Sequence, residues 1–218
     1  MAELQFFDRE QERSIVWKRL PHWSQAGTLC FITWRTADSL PKDAISRLAD
    51  ERRRLFDGRG LNVRGDWRRE MTKLHPADRG RLHWLLFSDW DRELDQSAGA
   101  CVLRNPDLSR IVFDSLMHFD GDRCDVTDFV VMPNHVHFLA AFQSEEGLIK
   151  QCENWKRFSA REINKRLGIH GDFWQGEQFD HLVRSDDDFR KYRQYIAENP
   201  LKAGLKAGKC AHFTKKLS

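Results

Sequence analysis

Residues 129–142 read Phe-Val-Val-Met-Pro-Asn-His-Val-His-Phe-Leu-Ala-Ala-Phe. Two apolar runs flank Pro133-Asn134, a pair suited to a tight reversal between antiparallel strands. Side chains alternate in direction along a strand, so His135 and His137 project from one face and Val136 from the other. Two neutral imidazoles side by side make half of a divalent-metal site. A pair of half-buried strand histidines would have the same spacing, so the decision rests on the rest of the chain.

At 218 residues the chain fits one domain, 1–218, with a substantial insertion or with tails. No stretch approaches the run of about 20 apolar residues that a membrane span needs. The first ten residues lack the basic flank and apolar centre of a signal peptide. Cys30, Cys101, Cys124, Cys152 and Cys210 are scattered and odd in number, without a Cys-x-x-Cys pair. That usage argues for reduced thiols in a cytosolic protein, and against a zinc site or disulfide framework. Net charge is only +3, yet residues 201–218 carry five lysines and no acid. Local basic patches matter more than the total for phosphate binding, although each can equally be a solvated surface.

Read outward from the hairpin, the pattern is as follows. Residues 1–27 form an N-terminal arm with a helical turn, and 27–36, rich in β-branched and aromatic residues, form the first strand. A helix is expected over 41–56. Residues 57–98 form a charged, tryptophan-bearing insertion of loop and one or two helices, short for a core of its own. Residues 100–103 read as a short strand. Asp107 then caps a helix with Leu108, Ile111, Val112 and Leu116 on one stripe. The hairpin pairs 122–132 with 135–142. Over 146–167, Leu148, Cys152, Trp155 and Ile163 line one side of a long helix, and Lys150, Arg157, Arg161 and Lys165 line the other. A strand over 179–184 leads to a helix capped by Ser185 or Asp186 that stops before Pro200. Residues 205–218 form a basic tail.

Without the insertion this order gives an α+β, ferredoxin-like (RRM-like) fold. It is an antiparallel sheet with helices on one face, a helical insertion after the first strand and a C-terminal helix. On that last helix Phe189, Tyr192 and Ile196 share an apolar stripe. Tyr195 is rotated off it, with Asn199 one turn later on the same flank. A carboxamide oxygen there can ligate a hard cation that the phenol approaches.

Met132-Pro133-Asn134-His135-Val136-His137 resembles the HUH motif of single-tyrosine transposases. Leu20-Pro21-His22-Trp23, the first strand and residues 37–41 resemble the N-terminal part of REP-associated tyrosine transposases. Phe173-Trp174-Gln175, Phe179-Asp180-His181, Arg184 and Tyr195-Ile196-Ala197-Glu198-Asn199-Pro200 resemble their C-terminal part. The likeness covers about 20–41 and 99–205. It lacks the Trp-Pro-Trp-Ser-Ser-like stretch that often follows Gly204 in that family.

This resemblance implies metal ligation by His135, His137 and Asn199, with Mg²⁺ or Mn²⁺ as cofactor, and Tyr195 as nucleophile on a catalytic helix. It implies cleavage and rejoining of single-stranded DNA at hairpin-associated sites through a 5′-phosphotyrosine link. Trp23 and Trp174 would stack on bases, and Lys150, Arg157, Arg161, Lys165 and Arg184 would meet phosphates. The expected partner is single-stranded or hairpin DNA and the expected state a monomer or homodimer, in bacterial cytoplasm near the nucleoid. A non-catalytic, repressor-like or domesticated hairpin-DNA-binding protein is the alternative. A third reading, an RNA-binding module, lacks its RNP aromatic pattern.

Overall fold

The computed structural model describes residues 5–8, 14–17, 21–62, 67–176, 178–206 and 208–216. Its strands are β1 (Ser14–Trp17), β2 (Pro21–Ser24), β3 (Leu29–Arg35), β4 (Cys124–Val131), β5 (His135–Phe142), β6 (Phe179–Leu182) and β7 (Ala211–Thr214). The helices are α1 (Lys42–Asp57), α2 (Trp67–Thr72), α3 (Pro76–Asp95), α4 (Pro106–Met117), α5 (Glu145–Leu167) and α6 (Asp186–Lys202). The chain divides into two compact units, one of residues 1–37 with 100–218 and one of residues 38–99.

The first unit is built on a five-stranded sheet in the order β6-β3-β5-β4-β7, with every neighbouring pair antiparallel. Taken as β3-α4-β4-β5-α5-β6, this is the ferredoxin-like arrangement, with β7 added beyond β4. Centre strands buried on both faces cannot alternate apolar with charged residues, and β3 is buried at every position.

Alternation along the strands then sorts their side chains into two layers. Cys30, Ile32 and Trp34 of β3 point with Val136, Phe138 and Ala140 of β5 into the principal core. The expected stripes of α4 (Leu108, Ile111, Val112, Leu116) and α5 (Leu148, Cys152, Trp155, Ile163) fill the other side of that core. Phe138 sits at its centre, 4.7 Å from the Trp34 ring and 5.6 Å from that of Trp155. Burying such a ring contributes about 1.5–3 kcal/mol.

The opposite face presents Phe31, Thr33 and Arg35 from β3 and His135 and His137 from β5. Helix α6 covers part of it. Tyr192 stacks on Phe31 at 4.5 Å, and the Arg193 guanidinium donates to the buried Asp128 carboxylate at 2.9 Å. The same guanidinium donates to the Lys215 carbonyl, which ties α6 to the strand-forming C-terminal segment.

Several local expectations are corrected. The described part of the N-terminal arm holds an antiparallel pair, β1 with β2, and no helical turn. Residues 102–104 form a 3-10 turn where a strand was expected. The cap of α4 is Asn105, whose side chain accepts from the Asp107 amide at 2.9 Å, and Pro106 takes the first helical position. Helix α6 runs through Pro200 to Lys202. Proline removes one donor, but this close to the end the last turn still closes, through Ala203 N–H to Asn199 O at 3.0 Å. Within the basic tail, residues 211–214 form β7, because Ala211 and Phe213 pack their apolar sides against the principal core.

The second unit begins at Asp38, so α1 joins the inserted residues. Phe56, Leu61, Met71 and Leu82 form one small core and Leu40, Leu48 and Leu94 another. Arg47 on α1 bridges Asp43 and Glu93 at 2.5 and 3.1 Å on the surface.

Candidate metal and nucleophile site

Pro133-Asn134 closes the β4–β5 hairpin, with the Met132 amide donating to the His135 carbonyl at 2.8 Å. The turn is fixed from outside as well. Its Pro133 carbonyl accepts from Leu103 N–H at 3.2 Å and its Asn134 carbonyl from Thr36 N–H at 2.8 Å. This holds the Asn134 side chain where its Oδ1 lies 2.8 Å from His135 Nδ1. Since that oxygen only accepts, His135 Nδ1 carries the proton and donates. On β3, Thr33 is the register partner of His137, and its Oγ1 lies 2.7 Å from His137 Nδ1.

Both histidines are therefore held at Nδ1, which makes Nε2 the nitrogen suited to a metal. The rings are 0 % exposed, their centroids are 4.6 Å apart, and they offer ligand nitrogens within 4.8 Å of each other.

Helix α6 carries the other two candidate residues. Tyr195 packs its ring 5.3 Å from that of His137 and 5.8 Å, edge-on, from Phe31. It is partly exposed, and Lys202 Nζ sits 5.2 Å from its centroid. Tyr192, by contrast, is in the core, and burial with the nearby Asp188 carboxylate pushes its phenol well above the usual range. Asn199 is 0 % exposed, and neither its Oδ1 nor its Nδ2 has a hydrogen-bond partner among the described residues.

An orphaned buried amide costs about 1–3 kcal/mol, so Asn199 is understandable if a ligand satisfies it. The two buried imidazole nitrogens suit a divalent cation such as Mn²⁺ or Mg²⁺, and an amide oxygen is a donor that such a cation also accepts. Accordingly, Asn199→Leu is expected to leave the metal-free protein as stable as before or up to about 1–3 kcal/mol more stable. Urea unfolding without and with Mn²⁺ checks this, and the variant should lose whatever stabilisation Mn²⁺ gives the parent.

The remaining sequence-derived residues divide. Trp174 is 6 % exposed, its indole donates to Ser159 Oγ at 2.9 Å, and it packs on Trp34 at 6.0 Å. It is a core residue with no face open to a base. Trp23 lies on β2, but its side chain is outside the described residues. Lys150, Arg157, Arg161 and Lys165 are exposed along α5, Arg157 bonded to Asn154 and Arg161 to Glu162. Because α5 packs on the face opposite the histidines, the sheet separates this stripe from them. Arg184 is exposed between β6 and α6, and its charge opposes the rise in the Tyr192 phenol's pKa.

Sequence reasoning missed Thr33 and Asn134, which orient the rings. Asn134 adjoins His135 in the chain, whereas Thr33 becomes visible only through the register of β3 with β5.

Among curated proteins none matches the chain. A solved structure of a REP-associated tyrosine transposase bound to a REP hairpin is similar at 15% identity, covering 91% of this chain and 76% of that one, with a TM-score of 0.41. Residues 116–199, which hold both histidines, Tyr195 and Asn199, match the family of IS200-like transposases, so the resemblance read from the motifs is borne out over that segment.

Proposed function

We propose that this protein is a metal-dependent single-stranded DNA transposase that cleaves and rejoins DNA at hairpin-associated sites through a 5′-phosphotyrosine on Tyr195. The observation that carries this reading is the Tyr195 ring beside His137, one helical turn from the orphaned amide of Asn199. The similarity of residues 116–199 to IS200-like transposases supports it.

His135, His137 and Asn199 would hold Mg²⁺ or Mn²⁺, which when bound supplies Lewis-acid polarisation of the scissile phosphate. Asn134 keeps the His135 imidazole in one tautomer, and Thr33 and Asn134 together hold the two rings in one orientation, which limits reorganisation during reaction. The Tyr195 oxygen forms a bond to phosphorus as the bond to the 3′-oxygen breaks. The phenolic proton is given up and the departing 3′-oxygen gains one. The phosphotyrosine conserves the bond energy, so a 3′-hydroxyl attacks in reverse to rejoin strands.

Single-stranded or hairpin DNA is the partner in this reading. Its scissile phosphate lies on the α6 face, and any contact with the α5 stripe involves DNA remote from the reacting atom.

Incubation with hairpin oligonucleotides bearing single-stranded flanks, with Mn²⁺ and with chelator, tests the proposal. A metal-dependent covalent adduct that forms less readily as salt rises is the expected result. Equal preference for plain duplex and no adduct on any hairpin would refute it. Thr33→Val removes the oxygen beside His137 Nδ1 and keeps the shape. It is expected to weaken Mn²⁺ binding about 10- to 100-fold, measured by calorimetric titration.

A further inference from the structure

Helix α6 carries four cations, and three of them are engaged away from Tyr195. Arg190 pairs with Asp186 at 2.6 Å and Lys191 with Asp188 at 3.8 Å, toward the start of the helix. Arg193 is held by Asp128 and the Lys215 carbonyl, on the side that faces β4. The fourth is Lys202, whose Nζ lies 5.2 Å from the centroid of the Tyr195 ring.

Lys202 follows Tyr195 by seven residues, about 10 Å along the helix axis. Its stem therefore runs back toward the N-terminus, across the turn that carries Asn199, to bring the ammonium to the ring. Spacings of four and three residues put Tyr195, Asn199 and Lys202 on one flank of α6. Glu198 steadies the ammonium there. Its Oε2 lies 3.2 Å from Lys202 Nζ, and its Oε1 accepts from Gln194 Nε2 at 2.7 Å.

A cation in the last turn also favours the helix dipole, and ion pairs four residues apart are common on helix surfaces. Neither effect requires the head group to reach back two turns to one particular ring. The Lys202 and Glu198 side chains are 50 and 42 % exposed, so water screens their pairing and an arriving phosphate can take the ammonium over. A lysine ammonium is a mobile point charge well suited to phosphate oxygens.

We infer that Lys202 is a catalytic residue whose ammonium contacts a non-bridging oxygen of the scissile phosphodiester beside Tyr195. This rests on Tyr195 being the nucleophile of a phosphodiester-cleaving site. As the Tyr195 oxygen bonds to phosphorus and the 3′-oxygen departs, negative charge builds on the non-bridging oxygens. Lys202 neutralises part of that charge, and Glu198 keeps the ammonium near the ring until a phosphate takes its place.

The test compares the full-length parent with Lys202→Gln, Lys202→Arg and Glu198→Gln. Single-turnover adduct formation on a hairpin oligonucleotide is followed in Mn²⁺, and affinity for the same oligonucleotide is measured in chelator. Lys202→Gln is expected to slow adduct formation about 10- to 100-fold with affinity kept within about threefold, since one phosphate contact is lost among many. Lys202→Arg keeps the charge and should stay within about fivefold of the parent. Glu198→Gln separates the contact from a structural role. Were the ion pair only steadying the helix end, removing either partner would slow the reaction equally. With the ammonium acting on phosphate, Glu198→Gln reacts at the parent rate or faster. A Lys202→Gln rate within about threefold of the parent overturns the inference. So does an equal loss in Glu198→Gln.

Should the parent itself give no adduct, the transposase reading fails separately. Calorimetric titration of inorganic pyrophosphate with Mn²⁺ then decides about Lys202. Binding weakened about threefold or more in Lys202→Gln upholds the phosphate contact, and a smaller change removes it.

Discussion

Tyr195→Phe is expected to abolish the covalent protein–DNA adduct, lowering strand cleavage at least about a thousandfold. The change deletes one oxygen and keeps the ring, which retains its packing beside Phe31 and His137. Hairpin binding should therefore persist within a small factor, because phosphate and base contacts supply most of the affinity.

Tyr192→Phe is the matched control on the same helix. Its ring stacks on Phe31 at 4.5 Å inside the core, and burial disfavours the phenolate that a nucleophile needs. Cleavage by that variant should stay within a few-fold of the parent, since packing is carried by the ring. Peptide mass spectrometry of a trapped adduct identifies the modified side chain directly. A phosphotyrosine at Tyr192, or an adduct surviving in Tyr195→Phe, would mean that the nucleophile is wrongly assigned.

His135→Gln and His137→Gln are expected to remove divalent-dependent cleavage by about a thousandfold or more each, while hairpin affinity is largely retained. Both imidazoles are fully buried, so glutamine is preferred to alanine because it avoids a large cavity. Thermal unfolding in chelator should separate loss of fold from loss of metal. The parent alone should gain stability on addition of Mn²⁺, by mass action on the folded state. Full cleavage by the double variant, or equal Mn²⁺ stabilisation of parent and variant, would exclude His135 and His137 as ligands.

Local patterns carried much of the fold. The stripes of α4 and α5 were readable because helical periodicity alone dictates which side chains share a face, and those residues line the principal core. The hairpin around Pro133-Asn134 was readable for a similar reason, since its turn chemistry and the alternation beside it act within a few residues. Three misreadings came from competition between near-equal local choices. Asn105 and Asp107 are both good caps, and the proline at position 106 favours the first. Residues 100–103 are apolar enough for a strand, but Cys101 adopts a left-handed conformation (φ 50) and residues 102–104 turn into a 3-10 helix. Pro200 reads as a stop, yet near a helix end it removes only one hydrogen bond.

The site shows the same division. His135 and His137 follow from strand alternation, and Tyr195 with Asn199 from helical spacing, so each pair was determined by the sequence by itself. That Tyr195 comes to rest beside His137 is a tertiary fact. It depends on α6 packing across the face of the sheet opposite α4 and α5, with Tyr192 stacked on Phe31 and Arg193 held by Asp128. Burial of Trp174 and the separation of the α5 stripe from the histidines were decided in the same way. A periodicity tells which residues share a face, but only the packed layers determine what that face meets. The register of β3 with β5 is the sharpest case, since a slip of one residue would turn Thr33 and Arg35 away from His137 and His135. That register is set jointly by the buried faces of all five strands, and no single stretch of the chain specifies it.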